Sequence, residues 1–154
     1  MGAVTYPAQE VAKFVDLNFI PVQIETTAQN QALMSQYGVT WTPSIFVLDA
    51  DGKVHYSTVG FIPPEEFVPT FLVGKARWYF DAGQLTEARA TLEEVLDRCS
   101  HSHVAPEAIF FLGVAKYKQT HDPKPLRAAY DELMANYPQS EWTKRADPYR
   151  LIEK

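Results

Sequence analysis

Cysteine is nearly absent from this chain: Cys99 is the single one in 154 residues. One thiol cannot close an internal disulfide, which agrees with a reducing compartment. Basic charge is also scarce, with 14 Lys and Arg against 19 Asp and Glu and a net charge of -5. Phosphate binding needs a concentrated basic surface, so the balance argues against a nucleic-acid partner. No apolar run approaches the roughly 20 residues that span a bilayer, and the first residues lack the basic and apolar regions of a signal peptide. These absences predict a soluble, cytoplasmic chain with no nucleic-acid and no membrane partner. A phosphate-binding Gly-rich loop, a Ser-His-Asp set and a paired-carboxylate site are missing too, which argues against a hydrolase or a kinase.

What is present argues for a folded protein. Apolar residues make up 46% of the chain and aromatic ones 13%, whereas disorder needs lower hydrophobicity and higher net charge. The length allows one domain with a full core, or two small units. Charge divides unevenly along it. Residues 1–73 hold 2 Lys and Arg against 7 Asp and Glu, a net of 2 - 7 = -5, while residues 74–154 hold 12 of each and are neutral. A shift of composition near Val73-Gly74 predicts two domains, 1–73 and 74–154.

In the first part, Thr42-Pro43 stands directly before the apolar, β-branched run Ile45 to Leu48. Asp49-Ala50-Asp51-Gly52 then supplies turn chemistry before a second run, Val54 to Val59. This reads as strand, turn, strand. Thr42-Pro43 is a candidate cis peptide, because an X-Pro amide loses most of the trans preference and a tight turn before a strand favours the cis form.

At these residues the chain resembles the thioredoxin superfamily, in which a Thr-Pro or similar pair precedes the strand of a β-hairpin and faces the redox centre. The resemblance extends over roughly residues 4 to 80. Tyr6 to Phe14 is similar to the second half of the long first helix, and Asn18 to Ile24 to the strand after it. Gln31 to Tyr37 is similar to the next helix, Gly38-Val39 to the approach to the proline, and Val59-Gly60-Phe61 to the end of the hairpin. The fold implied is α/β thioredoxin-like, incomplete at its N-terminus, for residues 1–73. The Cys-x-x-Cys pair of thioredoxin-like reductases and the strand before it do not occur in the sequence. A dithiol cycle needs one cysteine to attack and one to resolve, so Cys99 alone cannot run it.

Two readings follow. In one, the chain comes from a thiol-disulfide oxidoreductase lineage, its Cys-x-x-Cys lies upstream, and Met1 is an internal methionine of the active-site helix. In the other, it is a redox-inactive, cysteine-free adaptor that keeps the fold and the proline groove for binding. If the strand that precedes the active site is missing, its neighbours expose an unpaired edge, which predicts aggregation or a homodimer through that edge.

From Gly74 onward strand signals vanish. Leu85, Ala88, Leu92, Val95 and Leu96 recur at helical spacing between the start at Thr86-Glu87 and the cluster Cys99-Ser100-His101-Ser102-His103. Another helix begins at Ala105-Pro106-Glu107, where proline fits the first turn. A third follows His121-Asp122-Pro123, with Leu126, Ala129, Tyr130, Leu133 and Met134 on its buried face and Tyr137-Pro138 at its end. Pro138 to Trp142 reads as the start of one more. The order of small and aromatic residues, Ala76, Tyr79, Gly83, Ala88, Leu92 and then Leu112-Gly113, Tyr117, Ala129, Tyr137-Pro138, is similar to tetratricopeptide-type helix hairpins. The expected whole is an α/β part followed by an all-α tetratricopeptide-like extension. The helix from Pro64 to about Ala82 joins the two, and Pro69 inside it predicts a kink or a later start.

The resemblance implies a substrate or peptide site at Trp41, Thr42, Pro43, Gly60 and Phe61, where an extended partner adds as a strand. The bland alternative is that the proline only shapes the turn and Trp41 covers the core. Cys99, His101, His103 and His121 offer ligand types for zinc, but structural zinc wants four ligands in fixed geometry, commonly with more than one cysteine. The cluster reads as a helix end, where histidine charge is favourable. No metal, no cofactor and no catalytic residue is expected, and the expected partner is a protein or peptide.

Overall fold

The computed structural model describes residues 1–153. Cα proximity divides the chain into two compact units. The first is Met1–Phe46 with Ser57–Val68, and the second is Val47–Tyr56 with the chain from Pro69 on.

In the first unit, helix α1 spans Gln9–Asn18 and α2 spans Gln31–Gln36, with a 3-10 turn at Ala28–Asn30 before it. Helix α1 buries one narrow face: Val11 is 1% exposed, while Phe14 and Val15 are half-buried at helical spacing from it. It starts later than the sequence suggests, because Pro7 and Ala8 keep the chain extended or turned ahead of Gln9. The Thr5 hydroxyl donates to the Ile62 carbonyl at 2.7 Å in a buried position, and Tyr6 meets Phe67 edge to face at 6.0 Å. These contacts fasten the N-terminal turn to the segment that opens the next helix, and a buried hydroxyl without such a partner would be costly.

Residues 19 to 27 correct one expectation. Asn18 to Ile24 has strand-forming residues but no strand: Asn18 closes α1, and the rest is irregular with Ile20 93%, Val22 77% and Ile24 47% exposed. A strand exists only through a ladder with a neighbour. The sheet of the described residues has two strands, β1 (Ser44–Leu48) and β2 (Val54–Val59), paired with each other.

The hairpin is built from local turn chemistry. Gly52 has φ 80°, a left-handed conformation that costs glycine little. One carboxylate oxygen of Asp49 accepts the N–H groups of Asp51 (3.0 Å) and Lys53 (2.9 Å), and the Asp49 N–H donates to the Lys53 carbonyl at 3.1 Å. Asparagine or aspartate at such a position closes the turn by mimicking a backbone acceptor.

Helix α3 spans Pro64–Asp81 as one element and includes Pro69, so it does not start after the proline. Pro69 sits five residues in, where it removes one hydrogen bond to the Glu65 carbonyl. Its ring is fully buried, and Phe67, Phe71, Leu72 and Val73 around it are all at most 4% exposed. Burial of that apolar run holds the element together despite the lost bond.

The second unit continues with α4 (Leu85–Cys99), α5 (Ala105–Thr120), α6 (Lys124–Asn136) and α7 (Glu141–Ala146), then a 3-10 turn at Asp147–Leu151. Small residues mark where helices approach: Ala88, Ala105, Ala108, Ala115 and Ala146 are all 0% exposed. Helix α5 packs on both α4 and α6, which explains why it is apolar nearly all round. A core cluster of Ile109, Ala129, Leu133 and Ala146 is flanked by Leu96, Phe110, Tyr130, Tyr137, Trp142 and Tyr149. Met134 is a correction: it is 45% exposed, because Leu126, Ala129 and Leu133 already supply the buried stripe of α6. Ser140 caps α7 by accepting the Trp142 N–H at 3.2 Å. Among the described residues no helix is long and apolar enough to cross a membrane.

Candidate functional site

The five expected site residues all fall in the first unit. Ser44 fixes the approach to the strand: its hydroxyl donates to the Trp41 carbonyl at 2.6 Å, tightening the turn before β1. The Thr42-Pro43 peptide bond is cis. The Gly60 N–H donates to the Pro43 carbonyl at 2.8 Å, so the stretch after β2 lies beside the stretch before β1. Gly60 holds φ 104° with open space where a Cβ would stand, so a side chain there meets backbone strain and no clash.

The two large side chains of this rim are not part of the core. Trp41 is 71% exposed and Phe61 59% exposed, while Ile62, next in the chain, is 5% exposed. Thr42 is exposed and Pro43 and Gly60 are half-buried. The reading in which Trp41 covers the core therefore fails. Two aromatic side chains left in water near this bonded corner offer apolar surface beside polar main-chain groups. Two open concavities, one lined by Gln23, Ile24, Glu25 and Asn30 and one by Leu96, His101, Ile109 and Tyr137, contain none of the five.

Cys99 ends α4 and belongs to the second unit. His121, considered above beside it, is the left-handed residue after α5, with φ 57° and its N–H on the Tyr117 carbonyl at 2.7 Å. It closes a helix in the usual αL manner. Among the described residues no group of three or more His, Cys, Asp or Glu side chains is placed to hold a metal ion.

A constellation in the second unit escaped sequence reasoning. His55 of β2 is 8% exposed, and its ring is held between two carboxylates: Nδ1 is 2.8 Å from Asp81 Oδ2, and Nε2 is 2.9 Å from Asp49 Oδ2. A neutral imidazole has one donor and one acceptor, so only the imidazolium satisfies both carboxylates. Burial works against that charge, but the hydrogen bonds with Asp49 and Asp81 and the attraction of both carboxylates outweigh it and raise the His55 pKa. The bond to His55 first, and the Lys53 N–H second, hold the Asp49 carboxyl below its ordinary value. Asp81 closes the C-terminal end of α3, where the helix dipole disfavours a negative charge, and the imidazolium offsets this. The clasp ties the hairpin turn to the end of that helix. A histidine in a strand just after a two-aspartate turn was the available signal, but Asp81 is 26 residues away.

A raised histidine pKa stabilises fully below the unfolded value of 6.5, and that stabilisation fades as pH rises through the folded value. The lowered Asp49 pKa sets the other edge, with stabilisation present above 3.8 and lost as pH falls through the folded value. The unfolding-midpoint gap between the wild type and His55→Gln should therefore be widest at about pH 5–6 and narrow as pH rises beyond the ordinary histidine range. Thermal unfolding at a series of pH values measures it, and a gap that stays constant or widens with alkalinity contradicts the clasp.

Comparison with known families places residues 5–72 in a match to the family model described as a thioredoxin-like domain. No curated protein and no solved structure matches the chain. The match takes in α1, α2 and the hairpin and ends inside α3, leaving a helical C-terminal region beyond it.

Proposed function

We propose that the thioredoxin-like domain, matched over residues 5–72, binds an extended polypeptide along the rim of Trp41, Thr42, Pro43, Gly60 and Phe61. The proposal takes the thioredoxin-like part as residues 1–73 and residues 74–154 as a tetratricopeptide-like extension that engages a partner protein. The observation that carries the rim is the bond from the Gly60 N–H to the Pro43 carbonyl, which sets the two stretches side by side with Trp41 and Phe61 both mostly in water. Aromatic anchors beside main-chain groups suit strand addition, in which backbone bonds supply affinity and side-chain pockets supply specificity.

The same rim serves both readings of the lineage. In a thiol-disulfide oxidoreductase it would hold the segment that carries a disulfide; in an adaptor it would hold the segment without chemistry. Exchange requires two thiols acting in turn, and Cys99 is the one thiol in these 154 residues. Binding is therefore the activity proposed for them.

The test is fluorescence anisotropy with a labelled, unstructured peptide carrying apolar residues at alternate positions. Trp41→Ala and Phe61→Ala should each weaken binding about tenfold, the effect of losing a central anchor. Their unfolding midpoints should match the wild type, because both side chains are mostly exposed. Undiminished binding by both variants would overturn the rim as the site.

A further inference from the structure

Residues 17–46 hold a single charged side chain, Glu25, in a chain where 21% of residues are charged. All of them lie in the first unit. Within this tract Ile20 is 93% exposed, Val22 77% and Ile24 47%. They recur at every second position, which sets their side chains on one face of an extended segment. The backbone is extended at Phe19, with φ -139° and ψ 162°. At the far end the Glu25 carbonyl accepts the Thr27 N–H at 2.9 Å and the Asn30 side-chain amide at 2.8 Å, which closes the segment. Between these limits Ile20, Val22 and Ile24 make no backbone hydrogen bond with the described residues.

Unpaired main-chain groups and apolar side chains in water together describe a strand that lacks its ladder. Pro21 decides which edge a ladder can use. In a strand the N–H and C=O groups of alternate residues point to opposite edges. Phe19, Pro21 and Gln23 therefore share one edge, which lacks the Pro21 donor, while Ile20, Val22 and Ile24 share the other, where every donor is present.

The complete edge matches a second copy of itself. In an antiparallel pair about a two-fold axis at Val22, Ile20 faces Ile24 of the second copy, Val22 faces Val22, and each pair exchanges both N–H···O bonds. The facing side chains are β-branched and apolar, a combination suited to cross-strand packing. In this register Glu25 lies opposite Phe19, so the two Glu25 carboxylates stand at opposite ends of the ladder, about 20 Å apart and beyond the screening length. A neutral tract offers a charged partner nothing to pair with, whereas a second copy brings no charge that must be buried.

We propose that the chain forms a two-fold symmetric dimer by antiparallel pairing of residues 20–24 with the same segment of a second copy. The segment is short, so the interface falls in the weak class below about 1,200 Å². The dimer is independent of the rim, none of whose residues belongs to this segment.

Sedimentation equilibrium of the whole chain from about 5 µM to about 1 mM should show reversible monomer–dimer association and no larger species. Val22→Lys places two ammonium groups opposite each other at the axis and should raise the dissociation constant at least about tenfold. Val22→Pro removes the central N–H from both copies and should weaken the dimer as much. Gln23→Pro removes an N–H from the other edge and should change the constant by less than about twofold. Val22 and Gln23 are both exposed, so the unfolding midpoints of dilute samples should match the wild type. A chain still monomeric at the highest concentration, growth beyond the dimer, indifference to Val22→Lys, or equal weakening by Val22→Pro and Gln23→Pro would overturn the proposal.

Discussion

Leu133→Ala should destabilise the protein by about 2–5 kcal/mol, the range for truncating a leucine in a core that cannot collapse onto the cavity. Leu133 is 0% exposed and shares its cluster with Ile109, Ala129 and Ala146, each of which is at most 5% exposed. Two of its surroundings resist inward movement. Tyr137 is held by its hydroxyl on the Ser100 carbonyl and by its own carbonyl, which accepts the Thr143 hydroxyl, both at 2.6 Å, and Phe110 is held by ring contacts with Trp142 and Tyr149. A wall fixed by bonds to backbone leaves most of the void unfilled, which places the loss toward the upper part of the range. Urea unfolding followed by helix signal measures it, and a loss below about 1 kcal/mol would mean the cluster repacks freely.

Gly113→Ala should also destabilise, although alanine is the better helix former by about 1 kcal/mol. An added Cβ would stand 2.7 Å from the Ala129 Cβ and 3.1 Å from the Pro125 carbonyl oxygen. Neither neighbour is the end of a flexible side chain, so α5 and α6 must separate, and overpacking of this kind costs about 1–3 kcal/mol. The coupling carries the sharper content. Ala129→Gly removes the nearer obstacle, so Gly113→Ala should cost less in that background, with a favourable interaction of at least about 0.5 kcal/mol between adjoining sites. Additive effects in the double-mutant cycle would show that the helices do not meet at this pair.

These two positions also show why parts of the fold were legible in the sequence. The stripes of α4 and α6 announce themselves through spacing along one helix, since Ala88, Leu92 and Val95, or Leu126, Ala129 and Leu133, need only the helical period to be recognised. The hairpin was legible because Asp49 and Gly52 act on their own turn. The order of elements around Thr42-Pro43 was specific enough to suggest a thioredoxin-like domain, and residues 5–72 match one.

What failed depends on distant residues. Asn18 to Ile24 has the composition of a strand, but strand formation is decided by a neighbouring ladder that composition does not encode. Of the two outcomes expected at Pro69, a kink or a later start, the later start does not occur, and the helix runs from Pro64 through buried Phe67, Phe71 and Val73. The clasp on His55 needs a carboxylate 26 residues away. At the rim, sequence order selected the residues, but only the structure places Trp41 and Phe61 in water.

Recognition of an extended polypeptide at that rim is the central claim, and backbone amide exchange tests it most directly. Hydrogen exchange of the whole chain, with and without saturating amounts of the alternating apolar peptide, should show new protection at Thr42 and Phe61 and in the residues flanking them, whereas the Gly60 N–H is already bonded to the Pro43 carbonyl. Protection should be lost in Trp41→Ala at the same peptide concentration. Saturable binding with protection confined to other segments, or protection at the rim that persists in Trp41→Ala, would contradict the account.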